Sequence, residues 1–266
     1  MTLIASRRRL LAGFAAAASL WLAGCATPPA VDPQLRGVLA PTGVLRVAVY
    51  AGSPTSMVRK PGAPAGVAYE LGAGLARELG VPVRYTEFDR VQQVVEAVKT
   101  GQADFTFTNA TEARARDVDF TEPLVRLELG YLVTGDSPLR AVADVDRPGL
   151  KIGVSQGSTS QSTLPRQLKS AAIVPVPSLA VAQQQLGAKT LDAFATNKGI
   201  LYELSDQIPG SRVLEGRWGL EHLAIAVPKG REAAQAFLRG FAQRMRDSGE
   251  LQRIVDRAGV RGTARD

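Results

Sequence analysis

The sequence predicts an α/β fold made of two similar strand–helix units. Three observations carry that expectation. From Val44 onward, short β-branched runs alternate with stretches of helical period. The alternation restarts near Asp136 and ends in a helical tail, so the chain divides into two units of similar size. A small pattern, Asp followed five residues later by Asn after Thr, occurs in each unit, as DFTFTN at 104–109 and DAFATN at 192–197. Two α/β units of this kind leave a cleft between them. Both copies of the pattern stand at strand ends, where open sheets place ligands.

In chain order, VLRVAVY (44–50) reads as a buried strand, followed by a loop over 51–66 with Pro54, Pro61, Pro64 and three glycines. Leu71, Leu75 and Leu79 mark one face of a helix. VPVRYTEF is a strand, and Val91, Val94, Val95 and Val98 stripe a second helix that stops at Gly101. ADFTFT and LELGYLVTG are the next strands. In the second unit LKIGVSQ is a strand, and Gly157-Ser158-Thr159 opens a helix. AAIVPVP, a helix near 178–188, LDAFAT, a helix near 198–206 and SRVLEG follow, then the long strand HLAIAVPKG. Phe237, Phe241 and Met245 repeat at helical spacing, a core stripe rather than cofactor contacts, and a short helix covers 250–258.

The N-terminus reads as a targeting segment. Arg7, Arg8 and Arg9 precede an apolar run, Leu10 to Leu22, that is too short to span a bilayer as a stable helix. The run ends in Leu22-Ala23-Gly24-Cys25, which resembles the lipobox of bacterial lipoproteins, where the Cys is lipidated and becomes the new N-terminus. SRRRLL, Ser6 to Leu11, also resembles a twin-arginine export signal. Residues 1–24 are therefore expected to be a signal peptide and 25–42, rich in Pro, Ala and Gly, a tether. Cys25 is the only cysteine, so no intramolecular disulfide is possible, and a single lipid would anchor the protein without making it span the membrane. That anchor places the protein in the periplasm on a bacterial membrane, inner or outer.

Removing residues 1–24 takes away three positive charges and no negative ones, so the net charge falls from +7 to +4. What remains is modestly basic. Its Lys and Arg are scattered with few aromatics between them, which argues against nucleic-acid binding. No cofactor and no metal is expected.

The segments GVLRVAVY, GVAYELGAGLARELG, VVEAVKTGQADF, TEARARDVDFTEPL, GLKIGVSQGST, QQQLGAKTLDAF and HLAIAVPKG fall in a familiar order and spacing. Together they resemble the family 3 solute-binding proteins of bacterial ABC importers, over roughly residues 43–260. The most specific element is Thr111-x-x-Arg114 followed six places later by Phe120. The resemblance implies a two-lobed periplasmic-binding-protein (Venus flytrap) fold with two crossing strands, GYLVTG and HLAIAVP. Lobe 1 would comprise 43–134 plus 226–266, and lobe 2 would comprise 135–225. It further implies a monomer that closes on a small ligand and delivers it to an ABC permease in the inner membrane.

In amino-acid-binding members of the family, the Arg that matches Arg114 grips the ligand's α-carboxylate. A guanidinium suits that task, being a planar, permanently charged fork that holds a carboxylate bidentately. The alternative for Arg114 is a surface pair with Asp117 or Asp119. Thr159, with Ser158 beside it, supplies the second grip by the same resemblance, at a helix start whose free N–H groups attract an anion. Thr106, Thr108 and Asn109 lie at the C-terminal end of their strand, with Thr106 and Thr108 on one face and Phe105 and Phe107 on the other. Tyr50 and its loop stand where many members present an aromatic ring to the ligand.

The sequence departs from the family pattern twice. From Asp104 to Arg114 there are two residues fewer than is common, which leaves open which of Thr106, Thr108 and Asn109 reaches the ligand. The acid that commonly receives the ligand's α-ammonium at the second strand end is Asn197 here. An amide is neutral and accepts weakly from a cation, and a buried ammonium without a carboxylate is costly. Either Glu70, Glu203 or Glu221 replaces the acid, or the ligand lacks the ammonium. An enzyme resembling cyclohexadienyl dehydratases is the competing class. Acid–base work needs a positioned titratable group; the only His is His222, on a predicted crossing strand, and Asn197 cannot titrate. That disfavours catalysis, and leaves Glu203 or Glu221 as the groups that could still act as acid. A sensor module would need a separate output partner.

Overall fold

The computed structural model describes residues 32–264. The signal-peptide and lipobox readings, with Cys25, lie outside the described residues. Within the segment expected as a tether, Pro33–Leu39 forms a helix, α1. Asp32 caps it by accepting the N–H of Gln34, and Pro33 occupies a first-turn position that needs no N–H. Leu39 is fully buried and Leu35 and Val38 pack beside it, which makes the end of a Pro-rich stretch part of the folded body.

The first half of the chain builds a parallel pair, β1 (Leu45–Tyr50) and β2 (Val83–Phe88), through the crossover helix α2 (Val67–Leu79). Leu71, Leu75 and Leu79 are fully buried on one face of α2, and Gly80 ends it in the left-handed conformation. Helix α3 (Val91–Lys99) buries Val94, Ala97 and Val98. Strand β3 (Thr106–Asn109) lies beside β1 through the Val47–Phe105 bridge. A single helical turn, α4 (Glu112–Ala115), and β4 (Val118–Phe120) lead into the long strand β5 (Val125–Val133).

The second half repeats the logic. It contains β6 (Lys151–Ser155), α5 (Thr159–Gln167), β7 (Ala172–Val176), α6 (Leu179–Gly187), β8 (Ala193–Asn197), α7 (Lys198–Gln207) and β9 (Arg212–Val213). The chain then returns through β10 (Gly219–Pro228) to a helical tail, α8 (Glu232–Asp247) and α9 (Glu250–Ala258).

One sheet runs in the order β3-β10-β5-β8-β6-β7. Strand β10 pairs antiparallel with β3 from Leu223 to Ala226 and with β5 from Gly219 to Leu223. Strand β5 then continues beyond that pairing to run antiparallel to β8. These two long strands therefore serve both lobes and are the crossing strands that the sequence predicts at HLAIAVP and GYLVTG. The fold is a two-lobed α/β fold of the periplasmic-binding-protein type.

Three clusters of apolar side chains hold it together. One joins β1, α2, β3, α8 and α9 around Phe105 and Phe241, with Phe237 and Met245 packed against it. Another gathers Tyr131 of β5 with Ile152 and Val154 of β6 and Leu164 of α5. The remaining cluster is shared, since Ala48, Val94 and Val98 of the first lobe are contiguous with Leu179, Phe194 and Leu201 of the second. Each fully buried Leu or Phe in such a cluster contributes about 1.5–3 kcal/mol relative to exposure. The lobes are therefore in apolar contact on the α3 side of the cleft.

Both Asp-to-Asn stretches begin with a structural carboxylate. Asp104, fully buried, accepts from the Arg46 backbone N–H at 3.0 Å and Nε at 2.8 Å, and from Nη2 of Arg46 and of Arg231 at 2.7 Å each. Asp192 accepts the Lys151 N–H at 2.7 Å. In each lobe the acid ties the entry of one strand to the entry of its neighbour, so the strand's far end has a fixed height in the cleft.

Candidate functional site

The cleft between the lobes holds a cavity of about 40 Å³ at the C-terminal ends of β3, β6 and β8. Arg114 reaches it because Thr111 caps the turn of α4, accepting the Arg114 backbone N–H at 3.2 Å. The guanidinium then folds back over β3. Its Nη1 donates to Thr108 Oγ1 at 2.9 Å and to the Asn109 carbonyl at 3.2 Å. Among the described residues Nε and Nη2 have no protein partner, so the guanidinium keeps unused donors where it borders the cavity. Burial lowers the Arg114 pKa, and the charge of Glu221 works against that shift. The expected alternative, a surface pair with Asp117 or Asp119, is absent among the described residues: Asp117 pairs with Lys99 and Asp119 with Lys229.

Facing Arg114 across the cleft is the start of α5. Ser158 is its cap, accepting the Gln161 N–H at 3.2 Å, and Thr159 is its first residue. The Thr159 hydroxyl accepts from Asn109 Nδ2 at 3.0 Å, a bond from one lobe to the other. Two more bonds cross the cleft: Tyr50 Oη with Ser155 Oγ at 3.3 Å, and Arg90 Nη1 to Gln156 Oε1 at 3.5 Å. Burial pushes the Tyr50 phenol up to about 12, so it stays a neutral hydroxyl. Gly157 has φ +74, and a Cβ there would meet Gln92 Cβ at 2.3 Å, which is why no larger residue fits this approach of the lobes.

The second Thr-Asn end faces a different neighbour. Asn197 Oδ1 accepts the Ile200 N–H at 3.1 Å and so caps α7, which turns its Nδ2 toward the cavity. That nitrogen donates to Glu221 Oε2 at 3.1 Å. Glu221 sits on β10 with only 9 % of its surface exposed, and alternation along the strand brings Leu223 to the same cavity. Burial raises the Glu221 pKa, while Arg114 and then the Asn197 hydrogen bond pull it back down. Of the described residues lining the cavity, Arg114 and Glu221 are the two that carry charge.

Most of the residues that sequence reasoning singles out meet here. Arg114, Thr159, Ser158, Asn109, Thr108, Asn197 and Tyr50 all line the cavity. Thr106 does not, because its hydroxyl donates to the Ala48 carbonyl at 2.8 Å and is consumed in joining β3 to β1. Phe107 does, although alternation assigns it to the opposite face from Thr108, because the cavity lies beyond the end of β3 and is bordered by both faces. Of the three acids considered as replacements at the amine corner, Glu70 pairs with Arg257 on the outside of the first lobe. Glu203 lies 3.8 Å from Arg261 and borders a separate groove. Glu221 alone of the three reaches the cavity. His222, its neighbour, is exposed and outside it.

Ser53, Thr55, Ser56, Ser155 and Thr196 also line the cavity. Ser56 shows how the first loop is held, its Oγ accepting the Tyr50 N–H at 2.7 Å. The only signal for them in the sequence is the density of hydroxyl residues in SPTS and at the two strand ends. Among the described residues no group of three or more His, Cys, Asp and Glu could hold a metal, and no helix is long and apolar enough to cross a membrane.

Known proteins share this architecture. The chain is 26% identical over 144 residues to the ABC transporter glutamine-binding protein GlnH of Bacillus subtilis (strain 168), covering 54% of this chain and 52% of that one. The chain spans about half the length of the curated relatives it matches. Among solved structures, the solute receptor for L-cysteine of Neisseria gonorrhoeae superposes with a TM-score of 0.75 at 22% identity, covering 84% of this chain and 92% of that one. An ancestral arginine-binding protein bound to glutamine gives 0.71 at 25% identity, covering 80% and 96%. The model of the bacterial extracellular solute-binding proteins, family 3, matches residues 45–259, from the first strand of the two-lobed body to the end of its last helix, and this chain belongs to that family.

Proposed function

We propose that this chain is the membrane-tethered receptor of an ABC importer, capturing a small carboxylate-bearing solute by closure of its lobes. The observation that carries the reading is the free guanidinium edge of Arg114, held over the cleft by Thr108 and the Asn109 carbonyl. On this reading Arg114 clamps the carboxylate bidentately. The Thr159 hydroxyl, the α5 N-terminus and Ser158 complete the grip from the other lobe. Thr108 and Asn109 orient the two halves of that grip, and Tyr50 forms a wall. A ligand that touches both lobes favours their closed arrangement by its differential contacts, so binding and closure are one equilibrium.

The moving bodies on this reading are 43–134 with 226–266, and 135–225, with β5 and β10 as the hinge. The relatives named as glutamine-binding proteins favour an amino acid or a related acid over other solutes. Export, lipidation at Cys25, a monomeric state and delivery to an inner-membrane permease complete the proposal. Catalysis is not part of it: the one histidine, His222, is exposed and borders a groove outside the cavity.

Arg114→Ala tests the reading. Titration calorimetry is expected to show no binding of any carboxylate ligand, while the ligand-free melting temperature stays within a few degrees of the parent. Bound ligand recovered from the parent protein is expected to be chemically unchanged by mass spectrometry. Retained affinity in Arg114→Ala would end the carboxylate assignment.

A further inference from the structure

Glu221 is a carboxylate in an unusual position. It is nine-tenths buried on a crossing strand, and among the described residues its one hydrogen-bond partner is the Asn197 amide. A carboxylate has about four acceptor sites, and removing it from water costs several kcal/mol unless they are used. A fold that needed only to neutralise Arg114 would set the two charges in a direct pair. Instead they influence each other's ionisation without forming an ion pair, and each keeps unused hydrogen-bonding capacity toward the same cavity.

The amide beside Glu221 is matched to that acid. Asn197 Oδ1 is committed to the Ile200 N–H, so Nδ2 must be the atom that faces Glu221. An Asp at 197 would set a second carboxylate against the first, and like charges at that distance oppose each other's ionisation. With Asn there, the corner carries one negative charge, supplied from β10 instead of from the end of β8. The remaining lining is neutral: hydroxyls from Ser53, Thr55, Ser56 and Ser155, and apolar surface from Val91, Val94, Ile200 and Leu223.

We propose that Glu221 is the receptor for a ligand ammonium group, so that the solute is a zwitterion with an uncharged side chain. This rests on the reading of Arg114 as the carboxylate clamp. The cavity offers one fixed cation and one fixed anion, so a zwitterion leaves no charge unpaired. A second carboxylate or a basic side chain on the ligand would enter a wall that carries no opposite charge, and a ligand without the amine would leave Glu221 uncompensated. Specificity for the amine therefore lies in a residue of the hinge, in contact with the strand end where the resemblance implied it.

The test uses matched pairs in which a hydroxyl replaces the ammonium. They are L-alanine with L-lactate, L-serine with L-glycerate, and L-glutamine with 2-hydroxyglutaramate, after a thermal-shift screen of all the neutral amino acids. In the parent protein at least one neutral amino acid is expected to bind about 100-fold more tightly than its hydroxy partner. In Glu221→Gln that preference is expected to fall below about tenfold, because the amine loses its partner and the hydroxy acid no longer faces an uncompensated carboxylate. Glu221→Asp, which keeps the charge, is expected to retain the preference at lower affinity, and ligand-free melting serves as the folding control. Failure of every neutral amino acid to bind would overturn the proposal, as would a preference that survives in Glu221→Gln. Loss of all binding in Arg114→Ala with a surviving preference in Glu221→Gln would overturn this proposal and leave the carboxylate clamp standing. Retained binding in Arg114→Ala would instead strike the clamp.

Discussion

Strands β3 and β8 are built alike and end in different company. Each is preceded by an Asp that accepts the backbone N–H of a neighbouring strand's first residues: Asp104 from Arg46, and Asp192 from Lys151. Each ends in Thr-Asn, and each Asn spends its oxygen on a backbone N–H, Asn109 on His222 and Asn197 on Ile200. In both cases the amide nitrogen is thereby aimed into the cleft. At β3 it meets the Thr159 hydroxyl beside the Arg114 guanidinium, and at β8 it meets the Glu221 carboxylate. One device, used twice, orients a donor at each pole of the cavity, and the pole's charge comes from elsewhere in the chain.

The strand starts also differ, and that difference can be broken most violently. Asp104 is fully buried among two guanidinium groups and two bonds to Arg46 through its Oδ2, whereas Asp192 is part-exposed with a single backbone partner. Asp104→Ala leaves the Arg46 guanidinium without its acid and Arg231 with only the Leu39 carbonyl, and is expected to cost about 3–5 kcal/mol in a urea-unfolding experiment. Asp192→Ala removes one hydrogen bond and is expected to cost about 1 kcal/mol. Equal losses would mean that the two lobes are not held by asymmetric staples.

A gentler way to sharpen the comparison is pH. Burial raises the Glu221 pKa above its ordinary 4.5, so in the unfolded chain the group ionises first. Ligand-free stability is therefore expected to fall as pH rises from the ordinary carboxylate range through the raised value, and to level off above it. Affinity for a zwitterion runs the other way over the same window, because only ionised Glu221 attracts the ammonium. Melting curves and calorimetry across that window check both slopes, and Glu221→Gln is expected to flatten both. Arg114 and the neutral Tyr50 phenol face the same cavity and keep their charge states throughout.

Much of this was legible in the residues. Leu71, Leu75 and Leu79 repeat at helical spacing and are all buried, because an amphipathic face has one way to leave water. The Thr111-to-Arg114 spacing holds because a capped turn puts the third residue's side chain back over the strand that precedes it. Other features carry no periodic signal. Helix α4 and strand β4 are four and three residues long, too short for a pattern, and the seven-residue α1 docks through Leu39 with Leu35 and Val38 packed beside it. Thr106 and Thr108 look equivalent by alternation, yet one hydroxyl is spent on the Ala48 carbonyl and the other on Arg114. Glu221 could be named only as one of three acids, because nothing local says which strand crosses under Asn197.

The central claim is that the two Asn-ended strands divide a zwitterion between them, with the negative charge at the second pole moved from position 197 to position 221. The double variant Asn197→Asp, Glu221→Gln moves it back while keeping the number of charges the same. Titration calorimetry of that variant with the best neutral amino acid and its hydroxy partner is the direct measurement. The account predicts that amine preference, lost in Glu221→Gln, returns to within about tenfold of the parent, since a carboxylate again faces the ammonium with an amide to support it. A double variant no better than Glu221→Gln at telling the amine from the hydroxyl would contradict it.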